Sequence, residues 1–323
     1  MQAATIVDGE LLWRRHPDPV PGDCELLLRV QAAGVNAADL LQLRGGYPPP
    51  PGVAPDIPGL EVAGEVIAVG PRVSRFGLGD RVMALLGGGG QAEMAVLHET
   101  AAMPVPDSVS WEEAGGFPEV FITAYDALFT QAGLGLGDRV LVTGAAGGVG
   151  TAAVQLAAQA GATVTASVRG SALRPEMIRL GANQAVDPDE SLRQGPYDLV
   201  LELVGGPSVA ASLEALAVGG RIAVIGLPAG RTMELNLASL MGRRAHIFGS
   251  TLRARSLAEK ALVVSRVEAH VLPLLASGRV RVPVMATYGL EHASEAYQRH
   301  AKGGKLGKIV LVPGAGVALE AGR

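Results

Sequence analysis

The segment 139–150, RVLVTGAAGGVG, is the stretch whose residue types and spacing bear most directly on chemistry. An apolar run ending at Val142 meets a cluster of glycines, and residues 151–162 follow with the apolar spacing of a helix. The turn consists of Gly147, Gly148, Val149 and Gly150. Glycines let a backbone turn sharply and approach a pyrophosphate, whose charge is favoured at a helix N-terminus. The pattern predicts a dinucleotide site, and the alternative is a tight turn without a ligand.

The residues after the next predicted strand, 163–168, indicate which dinucleotide binds. Folds that bind NAD place a carboxylate about 20 residues after the turn, where it accepts hydrogen bonds from the ribose 2′-hydroxyl. Here Arg169, Ser171 and Arg174 follow the strand instead. Guanidinium and hydroxyl donors would bind a 2′-phosphate, so the sequence predicts NADPH. The alternative is that Arg169 and Arg174 are solvated charges at a helix start.

Composition narrows the class of protein. The 323 residues are 48% hydrophobic and 18% charged, which argues against disorder, and the chain is long enough for two domains. A net charge of −4 argues against a strongly electrostatic surface for binding nucleic acid or membranes. The single cysteine, Cys24, excludes an intramolecular disulfide and a cysteine-rich zinc lobe. Without a leader pattern or a run of about 18 apolar residues, we expect a cytoplasmic protein.

The order of predicted elements indicates an α/β fold with two domains. Residues 1 to about 117 are predicted to be strands and turns, with an ordered proline-rich loop at 45–58. A helix over 120–129 leads into alternating strands and helices, which end in one long helix over 256–277. The tail, whose final strand is 307–312, is expected to pack back on the first domain. The predicted domains are 1–118 with 268–323, and 119–267.

Several segments together resemble one family. In chain order they include VNAADLLQLRGGYPPPPG (35–52), GLEVAGEVIAVG (59–70), PEVFITAY (118–125), FGSTLRAR (248–255) and GKIVL (307–311). The chain resembles the zinc-independent quinone oxidoreductase branch of the medium-chain dehydrogenase/reductase superfamily. The resemblance implies a GroES-like β-rich catalytic domain and a doubly wound Rossmann nucleotide-binding domain.

The resemblance also bears on metal binding. In the zinc alcohol dehydrogenases of the same superfamily, a cysteine and a His–Glu pair bind the catalytic metal. The matching residues here are Asn36, Leu60 and Glu61, and the six histidines lie far apart without metal spacing. Because asparagine is a poor zinc ligand and leucine is none, we expect no metal. Asn36 is instead expected near the nicotinamide, where its side chain would form a hydrogen bond to the cofactor or the substrate. The alternative is that its amide caps a loop.

Tyr47 is the residue expected beside the substrate. It lies in the glycine–proline loop, and a phenol can donate a hydrogen bond to a carbonyl oxygen at neutral pH. The alternative is a tyrosine that merely covers an apolar loop. The resemblance implies further cofactor contacts from Thr123, Gly226, Leu227, Phe248, Gly249, Thr251, Arg253 and Lys308. Arg253 and Lys308 could alternatively be surface charges, and Thr123 could bond its own backbone.

These expectations define a candidate reaction. A site without a metal lacks a Lewis acid, which favours acceptors that are already electron-poor. The sequence therefore predicts NADPH-dependent reduction of a small-molecule quinone, and of enones. The alternatives are an enoyl-thioester reductase and a crystallin-like cofactor-binding protein with little catalysis. A homodimer is expected through the apolar strand 245–250, which could alternatively be an internal strand.

Overall fold

A computed structural model describes residues 1–314 and 319–320 of the chain. The chain divides into two compact units. Unit 1 comprises Met1–Ile122 and Leu252–Arg323, and unit 2 comprises Thr123–Thr251. The chain thus leaves unit 2 directly after its last strand, before the predicted boundary at 267, because the helix that follows that strand packs within unit 1.

The elements alternate along the chain as follows. The strands are β1 (Gln2–Val7), β2 (Glu10–Arg15), β3 (Glu25–Val35), β4 (Glu61–Val69), β5 (Arg81–Leu85), β6 (Met94–His98), β7 (Ala102–Pro104), β8 (Arg139–Val142), β9 (Thr163–Ser167), β10 (Gln184–Val186), β11 (Tyr197–Glu202), β12 (Leu216–Val224), β13 (His246–Gly249), β14 (Val284–Gly289), β15 (Lys308–Val312) and β16 (Leu319–Glu320). The helices are α1 (Ala37–Leu43), α2 (Trp111–Gly115), α3 (Pro118–Tyr125), α4 (Gly148–Gln159), α5 (Arg174–Arg179), α6 (Pro188–Arg193), α7 (Pro207–Glu214), α8 (Leu237–Arg243), α9 (Leu257–His270), α10 (Leu272–Ala276) and α11 (Ala293–Ala301). A π-helix, Asp126–Gln131, continues α3.

Unit 1 is built on an eight-stranded, mostly antiparallel sheet. Its strand order is β16-β14-β15-β3-β4-β5-β7, and β6 pairs with β3 as well. The long strand β3 therefore binds partners from both ends of the chain. Antiparallel pairing of β15 with β3 sets Ile309 opposite Val35. That register brings the residues on either side of this pair, Lys308 and Asn36, close together.

Unit 2 is a parallel six-stranded sheet in the order β10-β9-β8-β11-β12-β13. Its central strands β8 and β11 are buried and almost continuously apolar, as expected of strands covered by helices on both faces. The strand order reverses between β8 and β11. In sheets of this kind, ligands bind outside the carboxyl ends of the strands at such a reversal. The α/β fold class predicted from the sequence is confirmed.

Two predictions about individual elements were wrong. The single helix expected over 256–277 is two helices, α9 and α10, separated at Val271. Pro273 explains the break, because it has no N–H to donate to the preceding turn. The N-terminal region, expected to contain strands and turns, also contains helix α1. Asn36 and Asp39 form a capping box at its start.

Among the described residues, no helix has the length and apolar character needed to cross a bilayer.

Candidate active site and dinucleotide-binding turn

The glycine-rich turn of unit 2 lies between β8 and α4, as the sequence predicts. Gly147 is the N-cap of α4, and no side chain caps this helix start. The first amides of the helix therefore point outward without a side-chain acceptor, which is the arrangement that binds a phosphate. A Cβ at Gly150 would lie 2.5 Å from the carbonyl oxygen of Ala145, so only glycine allows the helix to pack so closely on the turn. The residues at this turn fit a dinucleotide pyrophosphate.

A buried carboxylate fixes the neighbouring loops. Glu202, at the end of β11, is fully buried and accepts a hydrogen bond from the Thr143 hydroxyl at 2.8 Å. The backbone N–H groups of Val204 and Gly205 donate to the same Oε1, at 2.8 and 3.1 Å. Two serine hydroxyls of helix α7 donate to Oε2. Because Thr143 follows β8 directly, Glu202 connects the two strand ends at the point where the sheet order reverses.

The loop after β12 carries two predicted cofactor contacts, Gly226 and Leu227. A Cβ at Gly205, whose φ is +76°, would lie 2.7 Å from the Leu227 Cα. The loops after β11 and β12 therefore pack backbone against backbone. The side chain of Leu227 is exposed. The remaining predicted contacts at this edge, all near the end of β13, are Phe248, Gly249 and Thr251.

Thr123 is the first residue of unit 2 and lies in helix α3. Its side chain is partly buried. The π-helix begins three residues later, at Asp126. Single-turn π-helical segments occur frequently at functional sites, because the extra residue redirects the side chains that follow it.

The residues predicted to bind the 2′-phosphate differ in their exposure and in their polar contacts within the protein. Arg169 and Ser171 are exposed after β9. Arg174 instead donates from Nε to the Val168 carbonyl oxygen at 3.3 Å and lies 4.0 Å from the Asp187 carboxylate. The Asp187 charge partly neutralises Arg174. Arg169 is therefore the better placed of the two arginines to meet an additional anion.

In unit 1, a buried ion pair joins Lys308, at the start of β15, to Glu61, at the start of β4. The Lys308 Nζ donates to Glu61 Oε1 and to Asn36 Oδ1, each at 2.6 Å, and to the Val35 carbonyl oxygen at 3.0 Å. Lys308 is 2% exposed and Glu61 is 0% exposed. The Asn36 Nδ2 also donates to Glu61 Oε1 at 2.9 Å. All polar atoms of the Asn36 side chain and of the Lys308 ammonium group are thus bound to protein.

A second buried group surrounds Asp39. Its carboxylate accepts the backbone N–H groups of Asn36 and Gly59, at 2.8 and 3.1 Å. Burial raises the pKa of Asp39 to about 6, while these hydrogen bonds and the Lys308 charge oppose the rise. The Gln91 amide faces the same carboxylate and accepts the Tyr297 hydroxyl at 2.9 Å.

Tyr47 and Arg253 lie against each other. The Arg253 guanidinium lies 5.0 Å from the centre of the Tyr47 ring, and its Nη1 donates to the Tyr47 carbonyl oxygen at 2.6 Å. Its other nitrogens donate to Gly87 O and to the Gln42 side chain. Arg253 therefore fixes the proline-rich loop. Among the described residues, the Tyr47 hydroxyl has no hydrogen-bond partner, so it is available to a substrate.

Glu119, at the start of α3, is one of the acidic residues that sequence analysis missed, with Asp39 and Glu202. Its backbone N–H donates to Glu61 Oε2 at 2.9 Å. Burial, followed by the Glu61 charge, raises the pKa of the Glu119 carboxyl to about 8. A signal was present in the sequence, because a glutamate in the apolar stretch FPEVFITAY must be exposed, paired with polar groups or neutral.

The residues at the matching zinc positions do not fit the metal. Zinc needs several nitrogen, sulfur or carboxylate donors around one point. Here a lysine ammonium, which is a donor of protons and not a metal ligand, lies 2.6 Å from both Glu61 and Asn36. Among the described residues, no group of three or more histidine, cysteine, aspartate or glutamate side chains could hold a metal ion.

Comparison with known proteins matches both units. A family described as zinc-binding dehydrogenase matches residues 148–267, and one described as alcohol dehydrogenase GroES-like domain matches residues 22–107. A quinone oxidoreductase-like protein 2 homolog of Nematostella vectensis is 31% identical over 304 residues, covering 90% of this chain and 82% of the relative. Quinone oxidoreductase of Mus musculus is 29% identical, covering 91% of each chain.

A solved structure agrees with these relatives. The quinone oxidoreductase of Thermus thermophilus, also solved in complex with NADPH, is 34% identical, with a TM-score of 0.82 over 97% of this chain and 100% of that one. A GroES-like unit combined with a doubly wound unit defines a two-domain dehydrogenase or reductase. The chain belongs to the medium-chain dehydrogenase/reductase superfamily, in its quinone oxidoreductase branch. It is an oxidoreductase of that superfamily, and its relatives imply a small-molecule substrate.

Proposed function

We propose that this protein is a zinc-independent, NADPH-dependent quinone oxidoreductase that also reduces α,β-unsaturated carbonyl compounds. The ion pair between Lys308 and Glu61 carries the proposal, because an ammonium group at this point excludes the donor set that zinc requires. A site of this kind favours acceptors that need no Lewis acid. The bound cofactor supplies a hydride, and the protein binds and orients both reactants.

The dinucleotide is proposed to bind along unit 2. The free amides at the start of α4 would bind the pyrophosphate, through the turn formed by Gly147, Gly148, Val149 and Gly150. Arg169 and Ser171 would bind the 2′-phosphate, because both are exposed, and in the described part of the chain Arg169 forms no ion pair with a carboxylate. Their donors support NADPH over NADH.

The nicotinamide end is proposed to lie along the loops that follow α3, β12 and β13. Its contacts would come from Thr123, Gly226, Leu227, Phe248, Gly249 and Thr251. Arg253 and Lys308 are proposed to act differently from the role that the resemblance implies. Because their donors are bound within unit 1, they would position Tyr47 and Asn36 and would not contact the cofactor themselves.

Tyr47 is proposed to donate a hydrogen bond to the carbonyl oxygen of the acceptor. The rigid proline-rich loop and the Arg253 guanidinium fix its ring, and its hydroxyl has no partner among the described residues. Burial raises the pKa of Tyr47 above its ordinary value of 10.0, so the phenol keeps its proton at neutral pH. A Tyr47→Phe variant would lower turnover while leaving NADPH affinity unchanged.

Two copies of the chain are proposed to form a symmetric dimer. Among the described residues, strand β13 lies at the edge of the unit 2 sheet with one side unpaired, and an unpaired edge can extend a sheet across a two-fold axis. Light scattering of the purified protein measures the mass. A monomer at all concentrations would contradict the proposal.

One assay separates the candidate functions. Purified protein is mixed with NADPH and, in parallel, with quinones, enones and crotonyl thioesters, and the nicotinamide absorbance is followed. Oxidation of NADPH with quinones and enones supports the proposal. Oxidation with thioesters alone indicates an enoyl-thioester reductase. Binding of NADPH without oxidation by any acceptor indicates a cofactor-binding protein with little catalysis.

A further inference from the structure

Glu202 is a buried acid at the carboxyl edge of the unit 2 sheet, and it has no part in the function proposed above. It is 0% exposed, and its two carboxylate oxygens bind different parts of the unit. Oε1 accepts the Thr143 hydroxyl and the backbone N–H groups of Val204 and Gly205, at 2.8, 2.8 and 3.1 Å. Oε2 accepts two serine hydroxyls of helix α7, at 2.9 and 3.1 Å. Oε1 therefore fixes the loop that follows β11, whereas Oε2 fixes a helix.

The loop after β11 is bound in turn to the loop after β12, which contains the predicted cofactor contacts Gly226 and Leu227. The Gly226 N–H donates to the Glu202 carbonyl oxygen at 3.2 Å, and the Ala229 N–H donates to the Val204 carbonyl oxygen at 2.9 Å. Val204 thus donates its N–H to the Glu202 carboxylate and accepts the second loop with its carbonyl oxygen. A continuous path of hydrogen bonds joins the buried carboxylate to the loop after β12.

The two loops also pack backbone against backbone. A Cβ at Gly205 would lie 2.7 Å from the Leu227 Cα, and a Cβ at Gly226 would lie 2.4 Å from the Leu203 carbonyl oxygen. Cβ atoms in proteins are not found this close to other atoms, so neither position accepts a side chain unless its neighbour moves. Packing of this density transmits a displacement from one segment to the next. A shift of the loop after β11 would therefore move Gly226 and Leu227 as well.

We propose that Glu202 is a positioning residue for the nicotinamide half of the cofactor, because its Oε1 fixes the loop that holds Gly226 and Leu227. The inference rests on the proposed function and adds the residue that shapes this end of the site. Since Glu202 is fully buried, it acts through the two loops and does not touch the cofactor. The contacts proposed for the adenosine half, residues 147–150 and Arg169, follow β8 and β9 instead. Glu202 therefore controls the binding of one half of the cofactor and not of the other.

The binding test compares NADPH with adenosine 2′,5′-bisphosphate, which carries the 2′-phosphate but no nicotinamide. Glu202→Met removes both acceptor oxygens and keeps much of the side-chain length. It should raise the Kd for NADPH about 10-fold, the equivalent of one hydrogen bond, and change the Kd for the bisphosphate less than about 2-fold. A general destabilisation of unit 2 would weaken both ligands equally.

Two matched variants separate the Oε1 contacts from the rest of the network. Glu202→Gln should bind both ligands as the unaltered protein does, because its amide oxygen can accept the loop N–H groups while the serine hydroxyls accept from its NH2 group. Ser212→Ala removes a hydrogen bond to Oε2 and leaves the loop contacts intact. It should change neither Kd.

A milder change decides the matter if Glu202→Met does not fold. Thr143→Val keeps the shape of the side chain but removes one donor to Oε1 and the acceptor of the Leu203 N–H. It should raise the Kd for NADPH about 3-fold and leave the Kd for the bisphosphate unchanged. Thr143→Ser keeps the hydroxyl and should match the unaltered protein.

Hydrogen exchange of the protein without any ligand gives an independent measurement. The Ala229 amide lies at the end of the path from Glu202. In Glu202→Met and in Thr143→Val, the peptide 225–230 should exchange at least about 3-fold faster than in the unaltered protein, because local opening of this loop becomes easier. In Glu202→Gln and Ser212→Ala its exchange should be unchanged.

Equal losses of both ligands, or an unchanged Kd for NADPH, in the folded Glu202→Met variant or in Thr143→Val would overturn the inference. Unchanged exchange over 225–230 in these variants would overturn it as well. If the unaltered protein binds neither ligand, the proposed function fails instead, and the exchange measurement still decides whether Glu202 positions the loop.

Discussion

Replacing Lys308 by methionine tests the buried ion pair that organises unit 1. Methionine keeps much of the length of lysine but removes the ammonium group. Glu61 would then be a buried carboxylate without a counter-charge, and the acceptor atoms of Asn36 and Val35 would each lose a donor. The expected result is a large loss of stability in unit 1, with the fold of unit 2 retained.

The size of the loss follows from the burial of both partners. Breaking a buried ion pair by removing one member costs about 3–5 kcal/mol, mostly from the charge left behind. Domains are stable by about 5–15 kcal/mol, so Lys308→Met should still fold but unfold at much lower urea. Adding Glu61→Gln removes the stranded charge. The double variant should therefore recover about 2 kcal/mol relative to Lys308→Met.

Tryptophan fluorescence isolates the unit concerned. The chain has two tryptophans, Trp13 and Trp111, and both belong to unit 1. Urea unfolding followed by this signal reports unit 1 without assuming that the whole chain unfolds in one step. Lys302→Met is the matched control, because Lys302 is exposed, and it should change stability by less than about 0.5 kcal/mol.

Two outcomes would refute the reasoning. If Lys308→Met costs no more than the Lys302 control, the ammonium group does not compensate the Glu61 charge. If the double variant is no more stable than Lys308→Met, the loss comes from packing or from the Asn36 and Val35 acceptors and not from a stranded carboxylate.

Three further predictions concern the other sites. Arg169→Ala should raise KM for NADPH about 10-fold or more and leave KM for NADH unchanged, whereas Arg174→Ala should affect both little; equal effects on both cofactors would contradict the assignment. Burial raises the pKa of Asp39 to about 6, so the folded protein holds a proton there that the unfolded chain releases near pH 4. The stability that this proton gives unit 1 is therefore complete below about pH 4 and is lost as the pH rises through about 6. The urea midpoint of Asp39→Asn should lack this loss. Gly150→Ala should unfold unit 2, as measured by circular dichroism, whereas Gly147→Ala should fold normally, since its Cβ would meet only one atom, at 3.5 Å.

The fold of unit 2 could be predicted from the sequence because the patterns that indicate its strands, turns and helices lie next to each other in the chain. The apolar strand, the glycine turn and the helix lie next to each other in 139–162, and parallel βα units repeat that arrangement. One stretch of sequence contains the glycine turn and the strand that follows it. The same stretch shows that Arg169 follows this strand in place of a carboxylate. The network around Glu202 was not predicted, because its hydroxyl donors reach it from other elements.

The cluster in unit 1 could be predicted only in part. Resemblance pointed to Asn36, Glu61 and Lys308, but not to the bonds among them. Those bonds depend on β15 pairing with β3 across more than half of the chain, a register that no local pattern determines. The same holds for Arg253, for which the resemblance implied a cofactor contact and a surface charge was the alternative. Its guanidinium is buried against Tyr47.

The hydrogen bonds of the ion pair explain why an apolar pair could not simply replace it. Apolar substitutes for buried ion pairs are often neutral or stabilising when the charges bind mainly each other. Here Glu61 also accepts the Asn36 amide and the Glu119 backbone N–H, and Lys308 also donates to Val35. An apolar pair would leave these groups unsatisfied at about 1–3 kcal/mol each. The pair therefore connects β3, β4, α3 and β15 through groups that only a charged or amide side chain can satisfy. It thereby keeps an amide, an ammonium and a carboxylate together around the residues that match the metal ligands of the zinc enzymes.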